Sequence, residues 1–194
     1  MGIKSCRDLF GFNTLSAPIE GCCFIIAHSS SVSIDGSTIT IKKEGTYIVS
    51  GTLSDGQIIV DTDDSSKVQI VLNGVSITCS NSACIYVKNA DKTFITLAEG
   101  TENTLSDTGA EYETDGDEKV DGVIYSKDDI CFNGMGSLTI TAGYNHGIVG
   151  NDDVKFTGGS YTITATGKGI KANDSIRILD GSYEITSKDD AVHT

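Results

Sequence analysis

The sequence predicts an all-β fold, a parallel β-helix, from three observations. The chain holds 22 glycines but one proline, and Thr, Ser, Ile and Val are abundant, which is typical of many short strands joined by tight turns. Residues 148–169 and 170–191 align without a gap, so a unit of about 22 residues is repeated. Each unit has three short segments that alternate apolar and polar residues. Three strands and three turns of this length make one coil of a solenoid, which adds roughly 4.8 Å to its length.

Copies of the unit begin at successive apolar residues along the chain. A β-propeller is the competing architecture, but its blades need about 40 to 45 residues, twice this period. We therefore expect residues 33–194 to form one solenoid of about five to six coils, with residues 1–32 left as an unassigned leader. The copies start at Ile58, Ile85, Ile124, Ile148, Ile170 and Val192, and the earliest are the loosest.

Equivalent apolar residues of successive copies are expected to stack inside the solenoid. An inward Ile or Phe contributes about 1.5–3 kcal/mol only when neighbouring coils cover it, so one coil is not stable alone. Val192 opens a coil that these 194 residues do not complete, which predicts a C-terminally incomplete domain that either associates with itself through the open coil or frays there. The stacked pairs are Ile148/Ile170, Val154/Ile176, Phe156/Ile178 and Ile163/Ile185.

An acidic segment interrupts the repeat between Leu105 and Gly122. Residues 106–121 carry seven acidic residues and one lysine. Such a segment is either a flap ordered by cations or a disordered excursion, and its length does not decide between the two.

The charge of the whole chain narrows the classes of partner. The formal net charge is −13 at pH 7, which repels nucleic-acid phosphates and anionic lipid. No apolar stretch reaches the roughly 18 residues of a membrane span, and no signal peptide can be identified. Nucleic acid and membrane surfaces are therefore expected to be poor partners, whereas cations are expected to be good ones.

Acidic and amide residues recur at one turn of successive coils and predict a calcium site. Stacked carboxylates repel one another, and Ca²⁺ offsets this repulsion because it takes six to eight oxygen ligands from carboxylates, amides and carbonyls. The alternative is that Asx residues simply favour turns. The candidate ligands are Asp128, Asp129, Asn151, Asp152, Asp153, Asn173 and Asp174, with Asp189 and Asp190 at a different turn.

Five residues are candidates for contact with a ligand. Tyr86, Tyr125 and Lys171 each follow the leading apolar residue of a coil, so they are expected to point outward on one sheet. The two tyrosines predict a flat platform for a sugar ring, or else ordinary side chains that fill a sheet surface. Lys155 over Arg177 forms a short basic ladder that either meets a carboxylate or balances the acidic turns.

Four phrases of the sequence resemble a known family. The runs TYIVSGTLSDGQIIVD, VQIVLNGVSIT, KNADKTFITLAEGTENTLSD and YSKDDICFNGMGSLTITAGYNHGIV are similar to bacterial, clostridial-type carbohydrate-binding domain-containing proteins of cell surfaces, over roughly Ser33 to Thr194. The resemblance implies a right-handed parallel β-helix similar to the pectate-lyase scaffold, bound calcium, an extracellular or cell-surface location, and affinity for plant cell-wall polysaccharide, notably acidic pectic sugars.

Two coils depart from the family pattern. An acidic residue usually precedes the Gly-Ile that opens a coil, but His146 and Lys168 take its place here. The departure predicts that one or more of the family's calcium positions are missing or shifted.

The leading hypothesis is a non-catalytic, calcium-dependent module that binds acidic polysaccharide such as polygalacturonate. A chain of charge −13 holds a polyanion only when divalent cations bridge the two sets of carboxylates. One alternative is a pectate-lyase-like polysaccharide lyase, with Lys168, Lys171 or Arg177 as the general base. The other is a structural or adhesin solenoid segment that binds no sugar.

Overall fold

A computed structural model describes residues 14–19, 22–27, 31–116 and 119–194. These residues contain strands and no helix, so none of them forms a helix able to span a membrane. Part of the predicted leader forms an antiparallel hairpin of β1 (Thr14–Ile19) and β2 (Cys22–Ala27). The rest of the leader, apart from residues 31–32, lies outside the described residues. A second hairpin, of β3 (Val32–Asp35) and β4 (Thr38–Ile41), leads into the solenoid.

The solenoid is a stack of about six coils with three faces. The first face continues from β4 through parallel strands: β6 (Gln57–Asp61), β8 (Ile85–Asn89), β11 (Gly122–Ser126), β14 (His146–Gly150), β16 (Ile170–Ala172) and β18 (Val192–His193).

The second and third faces belong to one further sheet. In four coils a long strand bends and supplies both faces: β5 (Gly45–Leu53), β7 (Lys67–Cys79), β15 (Val154–Ala165) and β17 (Ile176–Ser187). In the two remaining coils separate strands supply them: β9 (Lys92–Leu97) and β12 (Asp129–Gly134) on the second face, β10 (Glu102–Asp107) and β13 (Ser137–Ala142) on the third.

Strand registers confirm the predicted repeat. The residues that open the copies pair in sequence, from Ile58 with Ile85 through Ile170 with Val192. The step from Ile148 to Ile170 is 22 residues, as expected for the C-terminal half. The step from Ile85 to Ile124 is longer because the acidic segment is inserted within that coil.

Aromatic rings stack from coil to coil inside the solenoid. Phe132 lies on Phe156 with ring centroids 4.7 Å apart, and Tyr161 lies on Tyr183 at 5.1 Å. The Tyr161 hydroxyl donates to the Gly158 carbonyl oxygen at 2.8 Å, so the buried polar end of the ring is satisfied. Ile178 pairs with Phe156 but is 48% exposed, because no further strand of the described chain covers it. Stacking of like side chains therefore supplies the core that a single coil lacks.

The bend between the second and third faces requires glycine. Gly134 has a φ of +101°, in the region that residues with a Cβ rarely adopt. A Cβ at this position would also collide with the backbone carbonyl oxygen of Leu97 in the preceding coil. The chain consequently turns here without a side chain, and neighbouring coils approach closely.

Candidate functional site

The predicted file of carboxylates forms at the corner between the first and second faces. We call this corner, comprising residues 128–129, 151–153 and 173–174, the acidic edge. The backbone N–H of Asn151 donates to the Ser126 carbonyl oxygen at 2.8 Å, and the backbone N–H of Asn173 donates to the Gly150 carbonyl oxygen at 3.0 Å. The turns of successive coils therefore stack. Burial raises the pKa of Asp152, and the nearby Asp174, Asp129 and Asp153 carboxylates raise it further. The carboxylates therefore repel one another, as the sequence predicts.

Protein groups already bind most of these carboxylates. Asp128 accepts from the Ala90 amide at 2.9 Å, and Lys92 pairs with Asp129 at 2.9 Å. Asp153 accepts from the Ser175 hydroxyl and lies 3.6 Å from Arg177. In contrast, no ion pair joins Asp152 or Asp174 to a cationic residue within the described ranges.

The donor set of the acidic edge fits only part of a calcium coordination sphere. Across the described residues, no three His, Cys, Asp or Glu side chains are grouped so that they could hold a metal ion. A bound Ca²⁺ would find carboxylates at Asp152 and Asp174, but the Asn151 side-chain oxygen already accepts from the Asn173 side-chain amide at 3.5 Å. Ca²⁺ takes six to eight oxygens, so most of its ligands would have to come from water or from a bound molecule.

Replacing Asp152 by asparagine is expected to stabilise the protein slightly when divalent cations are absent. An acid whose pKa is raised on folding destabilises the folded state when it is ionised, and this cost disappears as the pH falls through the raised pKa. Because the side chain is exposed, we expect a rise in melting temperature of about 1–2 °C at pH 7. Thermal unfolding in the presence of a chelator measures this change in melting temperature, and Glu44→Gln, at an exposed position, is the charge-matched control. Equal melting temperatures of the wild type and Asp152→Asn at pH 7 would contradict repulsion between Asp152 and its neighbouring carboxylates.

Asp189 and Asp190 do not belong to the acidic edge. They lie at the corner between the third and first faces, where the Asp189 amide donates to the Gly167 carbonyl oxygen at 3.4 Å. The Lys168 ammonium lies 2.7 Å from Asp189 and 3.0 Å from Asp190, and hydrogen bonds from Lys168 lower the pKa of both carboxyls. The structure therefore does not bring Asp189 and Asp190 together with the other predicted calcium ligands, and Lys168 supplies their counter-charge.

Tyr86 and Tyr125 do not form an exposed platform. They occupy adjacent coils of the first face, as predicted, but are only 3% and 4% exposed. Their rings meet edge to face at 71° rather than lying flat. Tyr112 and Val120, from the acidic segment, pack over them in a second apolar cluster. The platform prediction is wrong because a distant part of the chain covers both rings.

The covering segment, described at residues 108–116 and 119–121, is here called the flap. Packing of Tyr112 and Val120 orders it, together with a 2.6 Å ion pair between Lys88 and Asp115. Asp107, which directly precedes the flap, is buried and accepts from the Tyr112 hydroxyl at 2.8 Å. Apolar contacts and direct hydrogen bonds thus position the described part of the flap, residues 108–116 and 119–121.

The second face carries a basic depression that the sequence indicated only in part. Cys131 pairs with Lys155, and Lys155 with Arg177, so the predicted ladder stands on one outward column. Phe94 pairs with Cys131 on the same column, and Lys92 lies at its border with the acidic edge. These five residues surround a shallow depression of about 220 Å³. Sequence reasoning missed Lys92 and Phe94, although Phe94 occupies the same repeat position as Lys155.

The remaining basic candidates do not join this depression. Lys171 lies on the first face, paired with Val149 and His193. Lys168 lies at the corner with Asp189 and Asp190, whose hydrogen bonds raise its pKa, which opposes a role as general base. Lys168, Lys171 and Arg177, the nominated bases of the lyase alternative, are therefore at three separate places.

Comparison with known proteins agrees with the resemblance seen in the sequence. A family model described as carbohydrate-binding domain-containing protein matches residues 35–194. A carbohydrate-binding domain-containing protein of Acetivibrio thermocellus is 44% identical over 135 residues, which cover 69% of this chain. The match spans about half, 47%, of that relative's length. A solved structure, the gadolinium derivative of the polysaccharide lyase-like protein from C. thermocellum, is similar with a TM-score of 0.75 and 36% identity, over 84% of this chain and 78% of that one.

Proposed function

The chain belongs to the carbohydrate-binding domain-containing family, and on that premise we propose that it is a non-catalytic module for acidic plant cell-wall polysaccharide of the polygalacturonate type. The observation that carries the proposal is the basic depression beside the acidic edge. Lys155 and Arg177 present cationic donors on adjacent coils, and both are exposed. Such donors bind carboxylates through charge-assisted hydrogen bonds.

Each group of the depression has a role in this proposal. The half-buried Phe94 ring packs against the apolar face of a sugar ring. The Arg177 guanidinium and the Lys155 ammonium donate to a uronate carboxylate, and Arg177 is held near the depression by Asp153 at 3.6 Å. Calcium bound at Asp152 and Asp174 supplies positive charge that offsets repulsion between the protein and further uronate carboxylates.

We propose that the polysaccharide completes the calcium site. The acidic edge offers too few oxygens for a full coordination sphere, and the polyanion offers the rest, so ion and polysaccharide bind together.

The proposal predicts that retention on immobilised polygalacturonate requires both the basic depression and calcium. We expect Lys155→Ala/Arg177→Ala to weaken binding at least 10-fold, because each lost charged hydrogen bond is worth about 1.5–3 kcal/mol. Asp152→Ala is expected to abolish the gain in affinity that calcium gives to the wild type. Affinity electrophoresis with calcium and with excess chelator measures both effects.

Two controls accompany this experiment. Lys43→Ala/Lys188→Ala removes the same charge from exposed lysines outside the depression, and Glu44→Ala matches Asp152→Ala. Equal retention of all variants in all conditions contradicts the proposal. Release of unsaturated uronate product by the wild type supports the lyase alternative instead.

The proposed ligand lies outside the cell, so we also propose an extracellular or cell-surface location. Self-association through the C-terminal coil stays a prediction.

A further inference from the structure

We propose that His146 is a pH-sensitive switch at the corner between the third and first faces: its neutral ring holds this corner closed, and protonation of the ring opens it. His146 is the first residue of β14, where the chain enters the first face. It belongs neither to the acidic edge nor to the basic depression. The inference does not depend on polysaccharide binding, because it concerns the protein without a ligand.

The ring of His146 accepts a backbone hydrogen bond from the next coil. The backbone N–H of Lys168 donates to the Nδ1 atom of His146 at 2.8 Å. A ring nitrogen accepts only when it carries no proton, so this bond places the proton of the neutral ring on Nε2. Nε2 lies 3.8 Å from the Asp121 carboxylate of the preceding coil. The contact therefore fixes one tautomer and joins two coils.

The ring is packed closely within this corner. The side chain of His146 is only 11% exposed, and a Cβ at Gly167 would lie 2.6 Å from Nδ1. Two further backbone hydrogen bonds hold the same corner: the Gly167 N–H donates to the Asn145 carbonyl oxygen at 2.7 Å, and the Gly147 N–H donates to the Lys168 carbonyl oxygen at 3.0 Å. Hydration of Nδ1 therefore requires the corner to open.

Protonation of the ring removes the acceptor. A proton on Nδ1 turns this atom into a donor that faces the donating N–H of Lys168, and buried donors without an acceptor lower stability. The positive ring is attracted to Asp121, but this attraction acts at Nε2 and does not restore the hydrogen bond at Nδ1. Protonation consequently favours an open corner, in which water accepts from both donors.

The surroundings of the ring set the sign of the pH dependence. Burial lowers the pKa of His146, and the ammonium groups of Lys171, in β16, and Lys168, just before it, lower the pKa further. The carboxylates of Asp121, before β11, and Asp189, before β18, oppose this shift without reversing it. An open corner thus binds the proton more tightly than the closed corner. By linkage, the closed form is most stable above about pH 6.5 and loses stability as the pH falls through the lowered pKa.

Opening at this corner affects the C-terminal coils. The strand β16 begins two residues after Lys168 and leads into the coil that carries Arg177. The Lys168 side chain also pairs with Asp189 and Asp190 at the corner that follows. We therefore expect acid to loosen the coil that begins at Ile170.

Nuclear magnetic resonance of the unliganded protein tests the switch. At about pH 7.5, the nitrogen-15 shifts of His146 should show a bare Nδ1 and a protonated Nε2, and the ring should titrate below about pH 6.5. Between about pH 7.5 and 5, amide exchange corrected for its intrinsic pH dependence should show about fivefold more frequent opening at Lys168. The Ala98 amide, which donates to the Leu72 carbonyl oxygen at 3.0 Å at another corner, is the internal reference.

Three variants separate titration from loss of the hydrogen bond. His146→Asn keeps an acceptor at the δ position but does not titrate, so Lys168 should stay protected at both pH values. His146→Leu removes the acceptor, so Lys168 should exchange faster than in the wild type already at about pH 7.5. The matched control, His193→Asn, replaces an exposed histidine and should keep the wild-type pH response.

Each outcome decides for or against the switch. A proton on Nδ1 of the neutral ring, exchange at Lys168 that does not respond to pH in the wild type, or an equal pH response in His146→Asn would overturn the inference. If a variant does not fold, the tautomer and the exchange of the wild type decide alone. Because no measurement includes a polysaccharide, failure of the proposed function leaves these results unchanged.

Discussion

Replacing Phe132 by alanine is expected to lower the melting temperature by about 10 °C. Phe132 is fully buried and stacks on Phe156 with an interplanar angle of 13°. It also meets Tyr161 edge to face, with ring centroids 6.1 Å apart. Truncating such a ring costs about 3–5 kcal/mol, and each kcal/mol corresponds to about 2–4 °C in a domain of this size. Thermal unfolding followed by circular dichroism measures the change.

The solenoid architecture also predicts where in the chain Phe132→Ala reduces stability most. Each coil contacts its neighbours, so the cavity should weaken amide-exchange protection most in the coils that carry Phe132 and Phe156. Met135→Ala is the control, because Met135 follows the same strand but is 72% exposed. Its melting temperature should match the wild type. If Phe132→Ala also melts like the wild type, the aromatic stack does not hold these coils together.

Replacing Asp107 by asparagine is expected to open the flap. The Asp107 carboxylate accepts from the Gly109 amide at 2.7 Å, the Gly143 amide at 2.8 Å, the Tyr144 amide at 3.1 Å and the Tyr112 hydroxyl at 2.8 Å. Asparagine keeps one acceptor oxygen and directs an amide donor toward groups that are themselves donors. We expect a loss of about 2 kcal/mol in flap closure, which raises the open population about 30-fold.

Limited proteolysis within the flap measures this opening. Cleavage should accelerate in proportion to the open population when the flap closes faster than it is cut. Glu111→Gln, the same acid-to-amide change at an exposed flap position, should be cleaved like the wild type. Equal cleavage of Asp107→Asn and Glu111→Gln would show that Asp107 does not anchor the flap.

The repeat made the coils and the acidic edge predictable from the sequence. Residues one period apart must lie one coil apart, so the Asp128, Asp152 and Asp174 file and the Lys155–Arg177 ladder follow from the alignment of copies. The same logic extends to Phe94, which occupies the ladder position in an earlier, looser copy.

The tertiary structure decided which of these residues are available to a ligand. Tyr86 and Tyr125 have the predicted register, but a segment that follows Tyr86 by more than 20 residues folds back over them through Tyr112 and Val120. Asp189 and Asp190 resemble the acidic edge in sequence, but they lie at another corner of the coil, where Lys168 forms ion pairs with both.

The sequence by itself therefore determined the fold, the period and the outward columns, because hydrogen bonds and stacked apolar residues repeat with the chain. Only the tertiary structure decided that the flap covers Tyr86 and Tyr125 and that Lys168 forms ion pairs with Asp189 and Asp190. The physical reason is that these features arise where the flap and the corner residues break the repeat. The position of a segment that does not repeat is set by packing and charge, and the period of the sequence carries no information about either.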